Sequence, residues 1–229
     1  MNTTYYGHSC FGIEYAGKSM LFDPFIRPNA MAAHIEVDSI CPDVLLLSHG
    51  HEDHVADAVE IAIRSKAQCV SIYELHSWLL SQGVSHSHPM NIGGEWIFDD
   101  WKVRMTPALH SNSLPDGQYG GLAAGFVISQ AEEPTFYFAG DTALFSDMQL
   151  IGRRGIDCFI VPIGDLFTMG PSDSIEAISL VNPKLVLPTH FNTWPPIAQD
   201  PLAWAQSVTE KTSAKAIAPE IDKPMLLDC

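Results

Sequence analysis

Hydrophobic positions along the chain fall in short runs that stop abruptly on small, polar or charged residues, the pattern of buried strands feeding into loops. Thr3 to Tyr6, Cys10 to Tyr15 and Lys18 to Phe22 read as an opening meander, with Ala16-Gly17 as its second turn. Asp23-Pro24 closes that meander, and a Pro-containing loop carrying His34 runs from Ile26 to Pro42. A buried strand ends at Leu45-Leu46-Leu47. Val55 to Ser65 then has helical spacing, Gln68 to Ile72 is a strand, and Glu74 to Leu80 is a helix stopped by Gly83. Met90 to Gly94, Glu95 to Phe98 and Trp101 to Pro107 form a second meander. Gly120-Gly121 opens a turn into the strand through Ile128; with no Lys-Ser/Thr signature it reads as a tight turn rather than a phosphate loop. Thr135 to Phe138, Asp157 to Pro162 and Lys184 to Leu187 are further strands. Between them lie helices over Phe145 to Arg153 and from an N-cap at Ser172 to Val181, and a last helix covers Pro201 to Lys211. Strands alternating with helices predict a layered α/β chain with helices outside a sheet.

What changes this picture is where the runs end. Leu45-Leu46-Leu47-Ser48 leads into His49-Gly50-His51-Glu52-Asp53-His54, four potential metal donors in six residues. Side-chain alternation can point His49, His51 and Asp53 to one side, and His54 can reach the same point from the start of a helix. Three other runs end in the same way, on His110, on Asp141 and on His190. Imidazoles and carboxylates converging on one place are what a borderline divalent metal requires. His76, His86 and His88 stand apart from other donors and read as surface or locally satisfied side chains. Glu52 is expected to face away from the site.

Composition bounds the rest. With 229 residues and 46% hydrophobic content, the chain can bury one substantial core, and no linker divides it. A net charge of −15 repels phosphate backbones and anionic membranes, which disfavours nucleic acid as the main partner. Met1 to Phe11 has no signal-peptide pattern, and no window approaches a membrane span. Cys10, Cys41, Cys69, Cys158 and Cys229 are scattered singly, which suits reduced thiols and an expected cytoplasmic location.

The set His49-x-His51-x-Asp53-His54 with His110, Asp141 and His190 resembles the ligand set of the metallo-β-lactamase superfamily. Gly7-His8-Ser9, Asp23-Pro24, Gly140-Asp141-Thr142-Ala143-Leu144-Phe145, Pro162-Ile163-Gly164-Asp165, Phe167-Thr168-Met169-Gly170-Pro171 and Asn192-Thr193-Trp194-Pro195-Pro196 look like its metal-dependent hydrolase branch, across essentially the whole chain. The branch is similar to L-ascorbate-6-phosphate lactonase-like proteins, and phospholipase-D-type phosphodiesterases are a further analogue. The resemblance implies a four-layer αββα sandwich in a single domain over residues 1–229, built as two similar halves, about 1–125 and 126–229. It also implies two divalent metals. His49, His51 and His110 would hold one, Asp53, His54 and His190 the other, and Asp141 would bridge them. Five histidines and two carboxylates favour zinc, with Mn2+, Fe2+ and Ni2+ as alternatives. A flavodiiron-type centre would usually place Glu at position 51.

The expected chemistry is hydrolysis of a small-molecule ester, lactone or phosphoester by a metal-bridged hydroxide, with Asp53 and Asp141 orienting the nucleophile and handling its proton. No Gly-x-Ser-x-Gly elbow offers another nucleophile. His8 is a candidate for substrate contact or for support of the site. Asp23 reads either as a turn residue or as the acceptor for a ligand histidine's second ring proton. Asp165 is a candidate to hold the loop from Leu166 to Pro171 or to position substrate, and Asn192, Thr193 and Trp194 are candidates to line the pocket. A nuclease of the same fold and a non-catalytic metal-dependent binding protein are the competing readings, and a homo-oligomer stays open.

Overall fold

Residues 1–228 are described by a computed structural model. Among them the chain forms β1 (Asn2–Gly7), β2 (Cys10–Tyr15), β3 (Lys18–Phe22), β4 (Val44–Leu46), α1 (Glu52–Val55), α2 (Ala58–Ser65), β5 (Gln68–Ile72), α3 (Tyr73–Ser81) and β6 (Ser87–Met90). Then follow β7 (Glu95–Phe98), β8 (Trp101–Pro107), β9 (Ala124–Gln130), β10 (Glu133–Phe138), α4 (Met148–Gly152), β11 (Cys158–Pro162), α5 (Pro171–Val181), β12 (Leu185–Thr189), α6 (Pro201–Lys211), β13 (Lys215–Ala216) and β14 (Pro224–Leu226). Two seven-stranded mixed sheets result, in the orders β14-β1-β2-β3-β4-β5-β6 and β13-β12-β11-β10-β9-β8-β7.

The sheets meet through aromatic side chains on their inner faces. Phe22 lies 4.9 Å from Phe138 and 5.8 Å from Phe136 between ring centroids, and Tyr15 lies 5.2 Å from Phe136. All four are buried in one continuous core. Helices cover the outer faces: α3 packs on β5 and β6, α5 on β11, and α6 on β13. This is the αββα sandwich expected of the sequence. Among the described residues no helix is long and apolar enough to cross a membrane.

Strand direction decides where chemistry can gather. β1 and β3 both run antiparallel to β2, and β4 is parallel to β3. In the other sheet β8 and β10 both run antiparallel to β9, while β11 and β12 are parallel to β10. β5 and β6 follow β4, and β13 follows β12, so the carboxyl ends of ten strands open on one edge of the sandwich, the place where ligands bind in sheets of parallel strands.

Several expected elements differ in detail. The helix expected over Val55 to Ser65 is two pieces, because the Asp57 carboxylate leaves the helical pattern to accept the Ile26 and Arg27 amides. The helix expected over Phe145 to Arg153 is shorter, Met148–Gly152. Gly170, not Ser172, is the N-cap of α5, since Pro171 takes the first helical position, where its fixed φ suits a helix start. The chain passes from the first sheet to the second between Met90 and Glu95, β7 pairing with β8 and β8 with β9. Cys10, Cys69 and Cys158 are buried and Cys41 is exposed; Cys229 lies outside the described residues. Burial pushes the Cys69 thiol up to about 12, which suits an inert core side chain.

Candidate metal centre

β4 stops at Leu46, so strand alternation does not carry through to the histidines as the sequence suggests. Ser48 leaves the ladder to bond Asp23, its amide donating to Oδ1 (2.8 Å) and its hydroxyl to Oδ2 (2.5 Å). The chain then turns through Gly50 and starts α1 at Glu52, with His51 as N-cap. His49 and His54 are buried, while Glu52 is exposed as expected.

The four strand ends do converge. His49, His51 and His110 offer donor atoms within 4.8 Å of one another, and so do Asp53, His54 and His190 together with His8. Asp141 Oδ2 lies between the two groups: 3.3 Å from His54 Nε2, 3.0 Å from His190 Nε2 and 3.7 Å from His110 Nε2. Asp53 Oδ2 lies 3.8 Å from His54 Nε2 and 3.7 Å from His190 Nε2.

The surrounding hydrogen bonds aim the rings. Asp23, fully buried, also accepts from His54 Nδ1 (2.8 Å), which leaves His54 Nε2 for the cluster. The Ser48 hydroxyl sits 2.9 Å from His49 Nδ1 and so links two ligand candidates to Asp23. His8 enters from the end of β1 in the left-handed region (φ 54°), its Nε2 3.0 Å from Asp53 Oδ2 and its Nδ1 2.8 Å from the Thr193 hydroxyl. Both ring nitrogens of His8 are thus engaged, one with Asp53 and one with Thr193.

His190, also left-handed (φ 54°), is fixed by its amide to the His8 carbonyl at 2.9 Å. Its close approach to β11 requires Gly164, where a Cβ would lie 2.0 Å from the His190 carbonyl oxygen. Asn112, which sequence reasoning did not single out, pins the His110 loop to the first motif: its Oδ1 accepts the Gly50 amide (2.7 Å) while its Nδ2 donates to the Gly120 carbonyl (2.7 Å).

Other candidates are placed elsewhere. Asp165 caps its own loop by accepting the Leu166 amide, and Asn192 accepts the Gln199 amide. Thr193 supports His8, and only Trp194 of that trio lines the cleft. Asp23 serves the site. His34 is exposed beside Asp222, His76 bonds Ser87, and the His88 ring lies tilted against Trp96. Ser48 escaped notice in the sequence because a serine after a strand is common; only its sequence position between the strand and His49 hinted at a role.

Electrostatics follow from this crowding. Burial opposes charge on Asp53 and Asp141, yet the neighbouring histidines hold both carboxyls well below the usual range. Burial likewise opposes protonation of His54 and His190, but Asp141 and Asp53 outweigh it, raising His54 strongly and His190 to about 9. His49, buried and beside His54, is pushed down, and burial lowers His8 to about 4 against the pull of Asp53.

The model of the beta-lactamase superfamily domain matches residues 2–190. A UPF0173 metal-dependent hydrolase of Methylacidiphilum infernorum is 47% identical over 201 residues, spanning 87% of this chain and 88% of that one. The chain belongs to the metallo-β-lactamase superfamily. A second UPF0173 metal-dependent hydrolase, from Desulforamulus reducens, is 45% identical over 94% of this chain and 95% of the relative. Igni18, a metallo hydrolase of the hyperthermophilic archaeon Ignicoccus hospitalis, superposes with a TM-score of 0.90 at 32% identity, covering all of this chain and 98% of its own.

Whether the residues of this superfamily member suit the metals implied by that branch can be judged from its own atoms. His54 Nε2, which faces the cluster, is buried without a hydrogen-bond partner, a costly arrangement for a site meant to stay closed on itself. Donors around a tetrahedral ion with bonds of about 2.0–2.1 Å stand about 3.3–3.4 Å apart. The separations of 3.0–3.8 Å among Asp53, His54, His190 and Asp141 straddle that value. The donors fit.

The cleft over them holds about 240 Å³ and is lined by His51, Asp53, His110, Ser111, Asp141, Phe167, His190 and Trp194. A larger groove of about 360 Å³ lies among Tyr6, Glu14 and Cys41, on the side of β1 and β2 turned away from the core, but among the described residues no cluster of donors opens into it.

Proposed function

We propose that the protein is a hydrolase of small molecules that works with two divalent metal ions, His49, His51 and His110 holding one, Asp53, His54 and His190 the other, and Asp141 touching both. The observation that carries this reading is the position of Asp141 Oδ2, within 3.0–3.7 Å of histidines from both groups. Zinc suits five imidazoles and two carboxylates, none of them a thiolate, and Mn2+, Fe2+ or Ni2+ accept the same donors. Bound there, such ions lower the pKa of water towards neutrality and polarise a scissile carbonyl or phosphoryl oxygen.

The chain supplies the rest. Asp53 and Asp141, held ionised by their histidine neighbours, present carboxylate oxygens that can orient a water molecule and take its proton. His8 keeps Asp53 in place, and Asp23 keeps the second ring proton of His54, so neither ligand candidate is free to rotate. Leu114, buried behind Gly50, and Trp194 at the cleft wall restrict water around these groups.

Metal analysis of the purified protein followed by a panel of lactones, carboxylic esters, thioesters and phosphodiesters tests the reading. Two equivalents of metal are expected, with turnover that is lost on chelation and restored by zinc or manganese. His51→Ala and Asp141→Asn should remove turnover while circular dichroism keeps the native signal. A protein that binds metal but turns over nothing in the panel would count against hydrolysis.

A further inference from the structure

The walls of the cleft carry a second message. Beyond β11 the chain makes a tight turn in which Asp165 and Leu166, consecutive and neither a glycine, both adopt the left-handed region (φ 63° and 52°). Each such residue is unfavourable for an L-amino acid, and two in a row persist only where surrounding bonds enforce them. Here the Asp165 amide donates to the Met169 carbonyl (3.2 Å), the Met169 amide donates to the Thr142 carbonyl (2.9 Å), and the Asp165 carboxylate takes the Leu166 amide. The turn leaves Leu166 and Phe167 64% and 56% exposed instead of tucked into the core. Phe167 lines the cleft, and so does Trp194, whose ring lies 5.0 Å from His8 and 5.9 Å from Phe25. One aromatic wall is thus braced against buried residues, and the other is held out by a strained turn.

The same walls lack a cation. None of the twelve Lys and Arg residues lines the cleft. Arg27 and Arg64 are engaged with Asp38 and Glu60, Lys102, Arg104 and Arg154 gather around Glu95, and Lys184 pairs with Asp157. The uncharged polar side chain among the lining residues is Ser111. A phosphate or carboxylate on a substrate would meet no guanidinium or ammonium here, in a chain of net charge −15. Phe and Trp surfaces that stand in water beside a reactive centre gain most when an apolar group covers them.

We infer that the cleft takes an uncharged carboxylic ester or lactone with an aromatic or branched aliphatic acyl substituent, and that Phe167 and Trp194 select it. The inference rests on the hydrolase reading and narrows it, setting phosphate-bearing substrates aside. In the reaction the acyl carbon–oxygen bond breaks; water gives its hydroxyl to the acyl carbon and its proton to the leaving oxygen, so an ester yields an acid and an alcohol and a lactone yields one hydroxy acid. The volume of about 240 Å³ suits a small acyl group.

The test uses the zinc-loaded protein. Phenylacetate and acetate esters of one alcohol are compared with a sugar-phosphate lactone and a phosphodiester, and benzohydroxamate with acetohydroxamate as binding probes. We expect kcat/KM for the phenylacetate ester to exceed that for the phosphate-bearing lactone at least about tenfold. Phe167→Ala and Trp194→Ala should each lower the phenylacetate-to-acetate ratio by about tenfold, the scale of a lost pocket contact. Phe167→Arg should move preference towards the phosphate-bearing lactone. Preference of the unaltered protein for the phosphate-bearing lactone or the diester would overturn the inference and leave the hydrolase reading standing. Binding of benzohydroxamate no tighter than acetohydroxamate would overturn it even if nothing is turned over. The opposite pair, tight benzohydroxamate binding without turnover, would sink hydrolysis and keep the apolar cleft.

Discussion

Asp23 shows how much one buried side chain can decide. It accepts the Ser48 amide, the Ser48 hydroxyl and His54 Nδ1, and so fixes the tautomer and aim of His54 while holding the start of the histidine motif. Asp23→Asn keeps the volume but places a donor where the His54 ring needs an acceptor. Zinc affinity, measured by chelator competition, should fall about 10–100-fold, the usual scale for losing the partner of a ligand histidine. His8 acts on Asp53 in the same manner, and His8→Ala should weaken metal binding, whereas His8→Gln, able to donate to Asp53, should restore part of it. If His8 instead reaches substrate, the alanine variant would change KM and leave metal affinity alone. Residue types told only part of this. The strand-end histidines and Asp141 stood out as donors in the sequence, but Ser48 and Asn112 did not, and Thr193 stood out as a pocket-lining candidate rather than as the partner of His8. Hydroxyl and amide side chains are common in loops, and the partners Asp23, His8 and Gly50 lie 25, 185 and 62 residues away, where no local pattern reveals them.

At the scale of elements, the site depends on where strands stop. The strands themselves were legible because apolar runs of core residues end on polar ones, and β2, β3 and α6 span the expected residues. The breaks were less so. The interruption between α1 and α2 comes from Asp57 bonding a loop 30 residues earlier, a tertiary contact that overrides helical spacing. The close approach of β11 to the turn after β12 was equally hidden, since nothing in Ile163-Gly164-Asp165 announces that a Cβ would meet the His190 carbonyl at 2.0 Å. Gly164→Ala should therefore displace His190 without emptying the core. We expect a folded protein that binds close to one equivalent of zinc tightly rather than two, read by metal analysis after gel filtration. Full two-metal loading would show that the turn after β12 can yield. In the core, Phe22→Ala removes the ring that touches Phe126, Phe136 and Phe138, and should cost about 3–5 kcal/mol in denaturant unfolding.

The whole molecule joins these effects through pH. In the metal-free protein, His54 and His190 are raised and Asp53 and Asp141 lowered. Raised histidines contribute stability that is complete below their unfolded value of about 6.5 and is lost as pH rises through the folded value, about 9 for His190. The lowered carboxyls contribute above their unfolded value of about 3.9 and lose that contribution as pH falls. His8, lowered to about 4, takes up its proton more readily when unfolded, so it too makes stability decline as pH falls from about 6.5 to 4. The Tm of the metal-free protein should thus decrease between pH 6.5 and 9. Zinc replaces those protons, so the loaded protein should show a higher Tm and no such decrease; a thousandfold excess over Kd is worth about 4 kcal/mol. Equal pH profiles with and without zinc would contradict the assignment of His54 and His190.

One arrangement reaches further than catalysis. His49, His51, Asp53 and His54 follow a strand of the first sheet, whereas His110, Asp141 and His190 follow strands of the second. Ions held by both groups would act as a further clasp at the open edge of two layers joined by their shared aromatic core and by bonds such as that of the His190 amide to the His8 carbonyl. Selection for a sturdy fold and selection for chemistry would then press on the same seven side chains. A descendant that abandoned its substrate would still have reason to keep its metals, and would loosen at that edge first when starved of them.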